Sequence, residues 1–197
     1  MKKRILFAIF TLMMFFSACS GDPLKTAEEA AGFYGGLTEF SSELRVTMDH
    51  GDYLTDYVLL HTYSGGVHAV TVKEPLGLAG LTVTTGQDSL ELKFQDAVFL
   101  PQSLKGTGVT PVKLLPDMLE SLMRGNFEAI CNLSRGEDEL VSISMWSTVD
   151  GDEFMYRVSL FQDTLEPKDA EFFFDGKRVM TAEFQNTSIT SQPKSEQ

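Results

Sequence analysis

The sequence predicts an α+β fold that is mostly antiparallel β-sheet, and three observations lead to this prediction. Apolar and polar residues alternate along most of the chain, which is the period of a strand with one buried face. Turn sequences separate the alternating runs, and only two stretches have the 3.6-residue period of a helix. Hairpins joined in series predict a meander of roughly ten strands. The clearest runs are at 44–48, 90–94, 154–160 and 180–184, and the turns are HGD at 50, SGG at 64, GQDS at 86, DGDE at 150 and DGK at 175.

The first segment of the chain, residues 1–18, has the pattern of an export signal. A short basic stretch precedes twelve apolar or nearly apolar residues, a run too short for a membrane-spanning helix of about 20 residues. Two small residues then lie directly before Cys19. This arrangement resembles the lipobox of bacterial lipoproteins, although Phe16 stands where that family usually has leucine. The resemblance implies that Cys19 is the lipid attachment site and that residues 19–23 form a tether.

The lipid anchor that this resemblance implies would hold the mature chain on an extracytoplasmic membrane surface. In a cell with two membranes, Ser20 after the cysteine, in place of aspartate, resembles the signal for passage to the outer membrane. The chain carries a net charge of −12, which becomes −15 once the three basic residues of the signal are removed. So acidic a chain lacks the basic face that nucleic acid or anionic lipid requires. We therefore expect no nucleic-acid partner, and membrane attachment through the lipid alone.

One domain, at residues 24–189, is predicted to follow the tether, with a polar tail at 190–197. No Pro- or Gly-rich linker and no repeat interrupts this stretch. A chain of this size buries about 70% of its unfolded surface, which suits a single hydrophobic core.

Two helices belong to this predicted domain. The first is predicted at 24–37, with Thr26 as its N-cap and a glutamate three residues later in capping-box spacing. The second is predicted at 114–125, with Pro116 near its start and Gly125 at its end. A sheet of about ten twisted strands tends to curl, and its concave side is the natural place for two helices with apolar stripes.

The order of elements resembles that of the LolA/LolB/RseB superfamily of periplasmic and membrane-anchored lipoprotein factors. The local resemblance lies in VHAVTVKEPLGLAGLTVTTGQDSLELKFQDAVFLP, residues 67–101. There a strand ends in a Glu74–Pro75 step, and a short LGLAG segment, a strand, a polar hairpin and two further strands follow. Members of that superfamily have an unclosed β-barrel lidded by helices over an apolar cavity. The resemblance therefore implies a curled half-barrel, with a lipocalin-like closed barrel or another curled meander as the alternative.

Nothing in the sequence indicates an enzyme or a cofactor. No nucleophile, zinc-protease or phosphate-loop motif is present, and the acidic turn at 150 has the composition of a solvated hairpin turn more than of a calcium site. A tight SGG turn would place His61, Tyr63 and His68 on one strand face. A zinc site there would need His50 or Glu74 as a third ligand, and diagonal neighbours are about 7 to 8 Å apart. We expect a polar strand face and no metal.

Large apolar residues are concentrated in the predicted strands and in the second helix. They predict either a packed core under the helices or a cavity that takes an acyl chain, and composition does not separate the two. Once Cys19 is acylated, Cys131 is the single remaining thiol. It is expected to be a small buried residue, with intermolecular pairing or a reactive thiol as alternatives. The predicted pocket walls are Leu92, Phe94, Met118, Leu122, Trp146 and Phe154.

Two functions are consistent with these features. The chain would be either an envelope interaction or sensing module that contacts a protein partner, or a carrier or acceptor that binds acyl chains in the half-barrel. A chain fixed to one membrane cannot shuttle cargo. LolB-like acceptors are also expected to show a strongly apolar exposed loop, whereas the LGLAG candidate is modest. The sequence therefore favours the interaction module, with an apolar pocket as a candidate feature.

Overall fold

The computed structural model describes residues 23–86, 89–100 and 109–192, so the predicted signal peptide, Cys19 and the end of the polar tail lie outside the described residues. The described chain forms two α-helices, eleven strands and one turn of 3₁₀-helix. The helices are α1 (Pro23–Gly35) and α2 (Pro111–Arg124), and the 3₁₀ turn is Leu76–Leu78. The strands are β1 (Leu37–Asp49), β2 (Leu54–Ser64), β3 (Val67–Glu74), β4 (Thr82–Thr85), β5 (Leu90–Phe94), β6 (Ala97–Phe99), β7 (Ala129–Arg135), β8 (Asp138–Val149), β9 (Asp152–Phe161), β10 (Pro167–Phe174) and β11 (Lys177–Ser191).

All eleven strands belong to one antiparallel sheet, in the order β6-β5-β4-β3-β2-β1-β11-β10-β9-β8-β7. The first and last strands are neighbours at its centre, and each half of the sheet is a meander running outward from them. Among the described strands, β6 and β7 form the two edges and are not paired with each other, so the curled sheet stays unclosed. The predicted half-barrel is confirmed, and the lipocalin-like closed barrel is excluded.

The alternation seen in the sequence sets which side chains face the core. In β1, Leu44, Val46 and Met48 are buried while Arg45 between them is exposed. The tight turns lie where they were predicted, for example between Ser64 and Val67, where both glycines have positive φ. Register shifts between β1 and β11 break the ladder. Such bulges bend a strand and increase its twist, which favours a curled sheet.

Both helices begin earlier than their predicted starts. Helix α1 begins at Pro23, so Thr26 lies within its first turns and is not its N-cap. Helix α2 begins at Pro111, a proline at the first helical position, and Pro116 is an interior residue of the helix. In the sequence, Pro116 indicates a helix start because a proline inside a helix removes a backbone hydrogen bond, whereas a proline in the first turn does not. The predicted end is confirmed: Gly125 has φ 69° and its N–H is bonded to the carbonyls of the last turn.

Helix α2 covers the concave face of the sheet and packs against α1 and β8. Its buried side chains belong to one continuous core with the inward residues of β1, β8, β9 and β11. The helical contribution to this core is Leu114, Leu115, Met118, Leu119 and Leu122 from α2, with Ala30 and Tyr34 from α1. The Tyr34 hydroxyl donates to the carbonyl of Leu165 at 2.8 Å, which ties α1 to the β9–β10 connection. The helices therefore form the predicted lid.

Candidate functional site

Two polar contacts hold the lid helix α2 on the sheet, and a third, longer one lies beside a buried histidine pair. At its start, Lys113 pairs with Asp150 of the β8–β9 turn, with 2.5 Å between Nζ and Oδ2. One turn later, the buried Tyr156 hydroxyl of β9 donates to Asp117 Oδ2 at 2.6 Å. Burial, and then the negative charge of Asp117, raises the pKa of Tyr156 far above its usual value, so the phenol stays a donor. Because these contacts are spread along the helix, they fix its position and its rotation.

The third contact joins the lid to a buried histidine pair on β2 and β3. Tyr63 is opposite His68 in the ladder, as the turn predicted, so His61 and His68 are diagonal neighbours on the concave face. His61 Nε2 and His68 Nδ1 are 3.2 Å apart, a hydrogen-bond distance. His68 Nε2 lies 3.5 Å from Glu120 Oε1 of α2, which is long for a hydrogen bond. The histidines therefore connect the first half of the sheet to the lid.

Both histidines are held in the neutral form. Burial, followed by the repulsion between the two rings, lowers the pKa of His61 to about 3. Burial also lowers the pKa of His68, against the opposing influence of Glu120. Across the described ranges, no group of three or more His, Cys, Asp and Glu side chains is placed to hold a metal ion. His50, which the sequence offered as a third zinc ligand, stacks on Tyr53 in the β1–β2 turn, away from the histidine pair.

The predicted pocket residues are divided among three environments. Met118 and Leu122 of α2 and Phe154 of β9 lie in the core between lid and sheet, and their exposed fractions are 0%, 0% and 3%. Leu92 and Phe94 of β5 lie on the same face but are half-buried, near the β6 edge.

The sixth predicted pocket residue, Trp146, lies on the outer face and is 59% exposed. Met145 points inward, and successive side chains of a strand point to opposite faces, so Trp146 points outward. The structure thus separates Trp146 from the other five residues. The alternation of Val141, Ile143 and Met145 along β8 is the sequence signal that places Trp146 on the opposite face.

The core between lid and sheet leaves little room for a ligand. A side chain that lines a cavity keeps accessible surface toward it, because a space that holds an acyl chain also admits a water-sized sphere. Met118, Leu122 and Tyr156 have no such surface. Four depressions formed by described residues lie elsewhere, on the outer face and between α1 and the start of β7.

An outer-face cluster of large side chains was not foreseen from the sequence. Trp146 is opposite Met155 in the β8–β9 ladder, and Met155 is opposite Phe173 in the β9–β10 ladder. The three line a depression of about 480 Å³ with the acidic residues of the two adjacent turns. Of the three consecutive phenylalanines, Phe172 is buried in the core and Phe173 lines the outer depression. The register between β10 and β11 shifts between these two residues.

Two further exposures differ from expectation. Cys131 is exposed, not buried, because it lies on the edge strand β7, where no further strand among the described residues covers it. Leu76, in the predicted LGLAG segment, is 89% exposed, which makes this loop more strongly apolar at the surface than its sequence indicated. Neither helix in the described part of the chain has the length and apolarity that a membrane span requires.

Comparisons with known proteins give likenesses of fold. No protein-family model matches the sequence, and no curated protein matches it. A LolA superfamily protein from Nitrosomonas europaea is 12% identical, with a TM-score of 0.41 over 88% of this chain and 96% of that one. A protein described as an outer membrane lipoprotein-sorting domain, from Vibrio parahaemolyticus, is 10% identical, with a TM-score of 0.48 over 88% and 94%.

The Mycobacterium tuberculosis lipoprotein LppX is 13% identical, with a TM-score of 0.41 over 88% of this chain and 100% of that one. These similarities do not assign the chain to a superfamily, and the resemblance stays a prediction from the sequence. At these identities and TM-scores, we draw nothing from the similarities about activity, ligand or partner.

Proposed function

We propose that this chain is a lipid-anchored, non-enzymatic protein of the extracytoplasmic cell envelope that acts as an interaction or sensing module for a protein partner. The observation that carries the proposal is the packed core between the lid helix and the sheet. The lid residues Met118 and Leu122 are fully buried against the sheet. A half-barrel with a packed core and a fixed lid is a rigid platform, and its outer surface is available for contacts.

The polar contacts of the lid support the same function. Opening the half-barrel for an acyl chain would break the hydrogen bond between Tyr156 and Asp117 and the ion pair between Lys113 and Asp150. It would also expose the apolar face of α2 to water, at about 25 cal/mol for each Å². A carrier that opened in this way would need a ligand that offsets all three costs.

The predicted anchor supports a role at one membrane. Helix α1 begins four residues after Cys19, and an extended chain of that length spans about 14 Å. The folded domain would therefore lie close to the membrane to which Cys19 is attached. Its net charge of −15 after signal removal keeps the protein surface itself from binding anionic lipid, so a protein partner is the favoured contact.

Native mass spectrometry of the full chain, extracted from its own host in a nonionic detergent, tests this function. We expect a complex with a second protein and no non-covalently bound fatty acid. One fatty acid bound per chain, without a protein partner, would contradict the proposal and favour a carrier. Detection of the chain without any partner, even after crosslinking in the intact cell, would contradict the proposal as well.

A second candidate function, acyl-chain binding, is favoured by two observations, of which the first is the exposed Leu76 in the LGLAG loop. The second is at the β6 end of the concave face, where Leu92 and Phe94 are half-buried and Phe99 is 57% exposed. These side chains form an apolar shelf beyond the packed core. If the chain is an acceptor, replacing Leu92 and Phe94 by glutamine would abolish fatty-acid binding, whereas the same change at the exposed Leu54 would not.

A further inference from the structure

The outer face of the C-terminal half carries an aromatic row beside the β8–β9 and β10–β11 turns. The ladder places Trp146, Met155 and Phe173 side by side on three adjacent strands. Trp146 is the single tryptophan of the chain, and it is the most exposed aromatic side chain of this row. A large exposed indole beside half-buried apolar neighbours is typical of a binding surface.

The space around the indole is extended and does not form a single small pocket. On one side lies the depression of about 480 Å³ that Met155 and Phe173 line. On the other side lies a second depression of about 360 Å³, lined by Ser147 and Thr148 of β8. Both depressions include Trp146 and Glu153, so they adjoin at the indole, and the two together are hereafter called the Trp146 groove. Space on both sides of the indole suits a chain segment better than a small ion.

The charge of the Trp146 groove is negative. Asp152, Glu153 and Asp175 line it, and no ion pair among the described residues involves any of the three. Three unpaired carboxylates next to an aromatic face attract a cation, both by charge and through the ring quadrupole.

The same row already accepts a guanidinium group from within the chain. Arg157 Cζ lies 5.2 Å from the centre of the Phe173 ring. Arg157 pairs with Glu171, with 3.1 Å between Nη1 and Oε2, and the same carboxylate pairs with Arg178 at 2.8 Å, whereas neither guanidinium forms an ion pair with any of the three carboxylates of the groove. Trp146 offers a larger aromatic face with its own carboxylates alongside, and no guanidinium of the described residues is placed over that face by a comparable contact.

We propose that the Trp146 groove binds a lysine- or arginine-bearing segment of a partner protein, with one cation against the indole and Asp152, Glu153 and Asp175 around it. The proposal rests on the proposed function in taking the partner to be a protein. A second copy of the chain, after signal removal, brings the same net charge of −15 and is repelled. An anionic lipid surface is repelled for the same reason.

Peptide binding to the full chain in nonionic detergent tests the site. The probe is a fluorescein-labelled peptide of alternating arginine and glycine, and the control peptide has glutamate in place of arginine. We expect the arginine peptide alone to bind and to change the fluorescence of Trp146. Asp152→Asn, Glu153→Gln and Asp175→Asn together are expected to raise the Kd about tenfold, and Trp146→Ala about two- to fivefold.

A charge-matched variant separates the site from net charge. Glu137→Gln, Glu139→Gln and Asp163→Asn remove the same three charges from exposed positions in or beside the turns at the opposite end of the sheet. This variant is expected to keep the Kd within about twofold, since charges beyond a Debye length are screened. An equal loss of affinity in both triple variants would overturn the proposal, as would no binding of the arginine peptide near physiological salt.

Two further outcomes distinguish this site from the proposed function. Self-association that the Trp146 groove variant abolishes, measured by sedimentation, would assign the groove to a second copy and overturn the proposal. A host partner that still co-purifies with that variant would overturn this site and leave the proposed function in place. Loss of the partner from that variant alone, and not from the charge-matched one, is the expected result.

Discussion

Buried polar side chains between the lid helix and the sheet are the residues at which single changes matter most. His61 and His68 are almost fully buried, and Nδ1 of His61 has no hydrogen-bond partner among the described residues. Protonating His61 would leave a positive charge in the buried core without a nearby carboxylate, where an isolated charge is costly. Tyr156 is equally buried but is satisfied by Asp117. The two groups therefore respond differently to pH and to substitution.

Stability is expected to fall in acid because of His61. Its pKa is about 6.5 in the unfolded chain and about 3 in the folded one, so the unfolded chain takes up the proton first as the pH falls. The folded state therefore loses stability from pH 6.5 downward, by about 2 kcal/mol at pH 5. Urea unfolding at both pH values measures this loss, and His61→Leu should reduce it. His50→Gln, at an exposed turn, should leave it unchanged.

The hydrogen bond between Tyr156 and Asp117 is expected to stabilise the fold measurably. Tyr156→Phe removes the donor and leaves the carboxylate partly solvated, with Arg124 nearby at 3.7 Å. The expected loss is about 1.5 kcal/mol in the free energy of unfolding, the low end for a bond to a charged acceptor. Tyr53→Phe, on an exposed side chain, serves as the control. Equal unfolding midpoints for the two variants would contradict this role.

At the scale of elements, the contact between the two helices depends on a glycine. Gly125 ends α2 in the left-handed region, with φ 69°. A Cβ at this position would lie 3.1 Å from the Cβ of Ala31 on α1, a close contact that the two helices must relieve. The close approach of α1 and α2 therefore requires glycine here, for conformation and for space.

The same substitution at two glycines is expected to act in opposite directions. Gly125→Ala should cost about 1 to 2 kcal/mol from the left-handed backbone alone. Gly32→Ala, within α1 and with nothing near the added Cβ, should stabilise by about 0.5 to 1 kcal/mol through helix propensity. Thermal unfolding followed by circular dichroism compares the two variants. A gain in Tm at Gly125 would show that the helix contact is not the constraint described here.

At the scale of the whole molecule, the sheet is completed by its last strand. β11 is central, between β1 and β10, so the two halves join only when the end of the chain pairs with its beginning. Such pairing spans most of the sequence, and the half-barrel therefore has a high contact order. The lid helix lies in the chain between the two halves, packs on the second half at β8 and lies beside His68 of the first half. We therefore expect the lid, the histidine pair and the central strands to unfold together.

Membrane attachment of this body is expected to depend on Cys19 alone. In cells labelled with an alkynyl analogue of palmitate, the parent chain should carry the label and fractionate with membranes. Cys19→Ser should lose both. Each methylene of the lipid that is buried in the membrane contributes about 0.8 kcal/mol to binding, and no described helix can replace the lipid. Cys131→Ser, at the other cysteine, should keep both. Label retained by the Cys19 variant would refute the anchor.

Most of the elements could be predicted from local sequence. The period-two runs of β1, β5, β9 and β11 and the turns between strands lie where predicted, because alternation and turn chemistry involve neighbouring residues. Helix starts were misplaced because Pro111 and Pro116 are both compatible with a first helical turn. In the candidate site, the SGG turn predicts that His61 and His68 share a strand face. The approach of Glu120 to His68 could not be predicted, because Glu120 lies on a helix distant in the sequence.

The sequence by itself determined the class of fold, the order of helices and strands and the acidic surface, since these follow from residues close together in the chain. Only the tertiary structure decided that the core under the lid is packed, that Cys131 and Trp146 are exposed, and that the histidines lie beside the lid. Each of these depends on which distant elements become neighbours. Burial is set by the partner that covers a face, and a strand pattern specifies two faces without saying what lies against either.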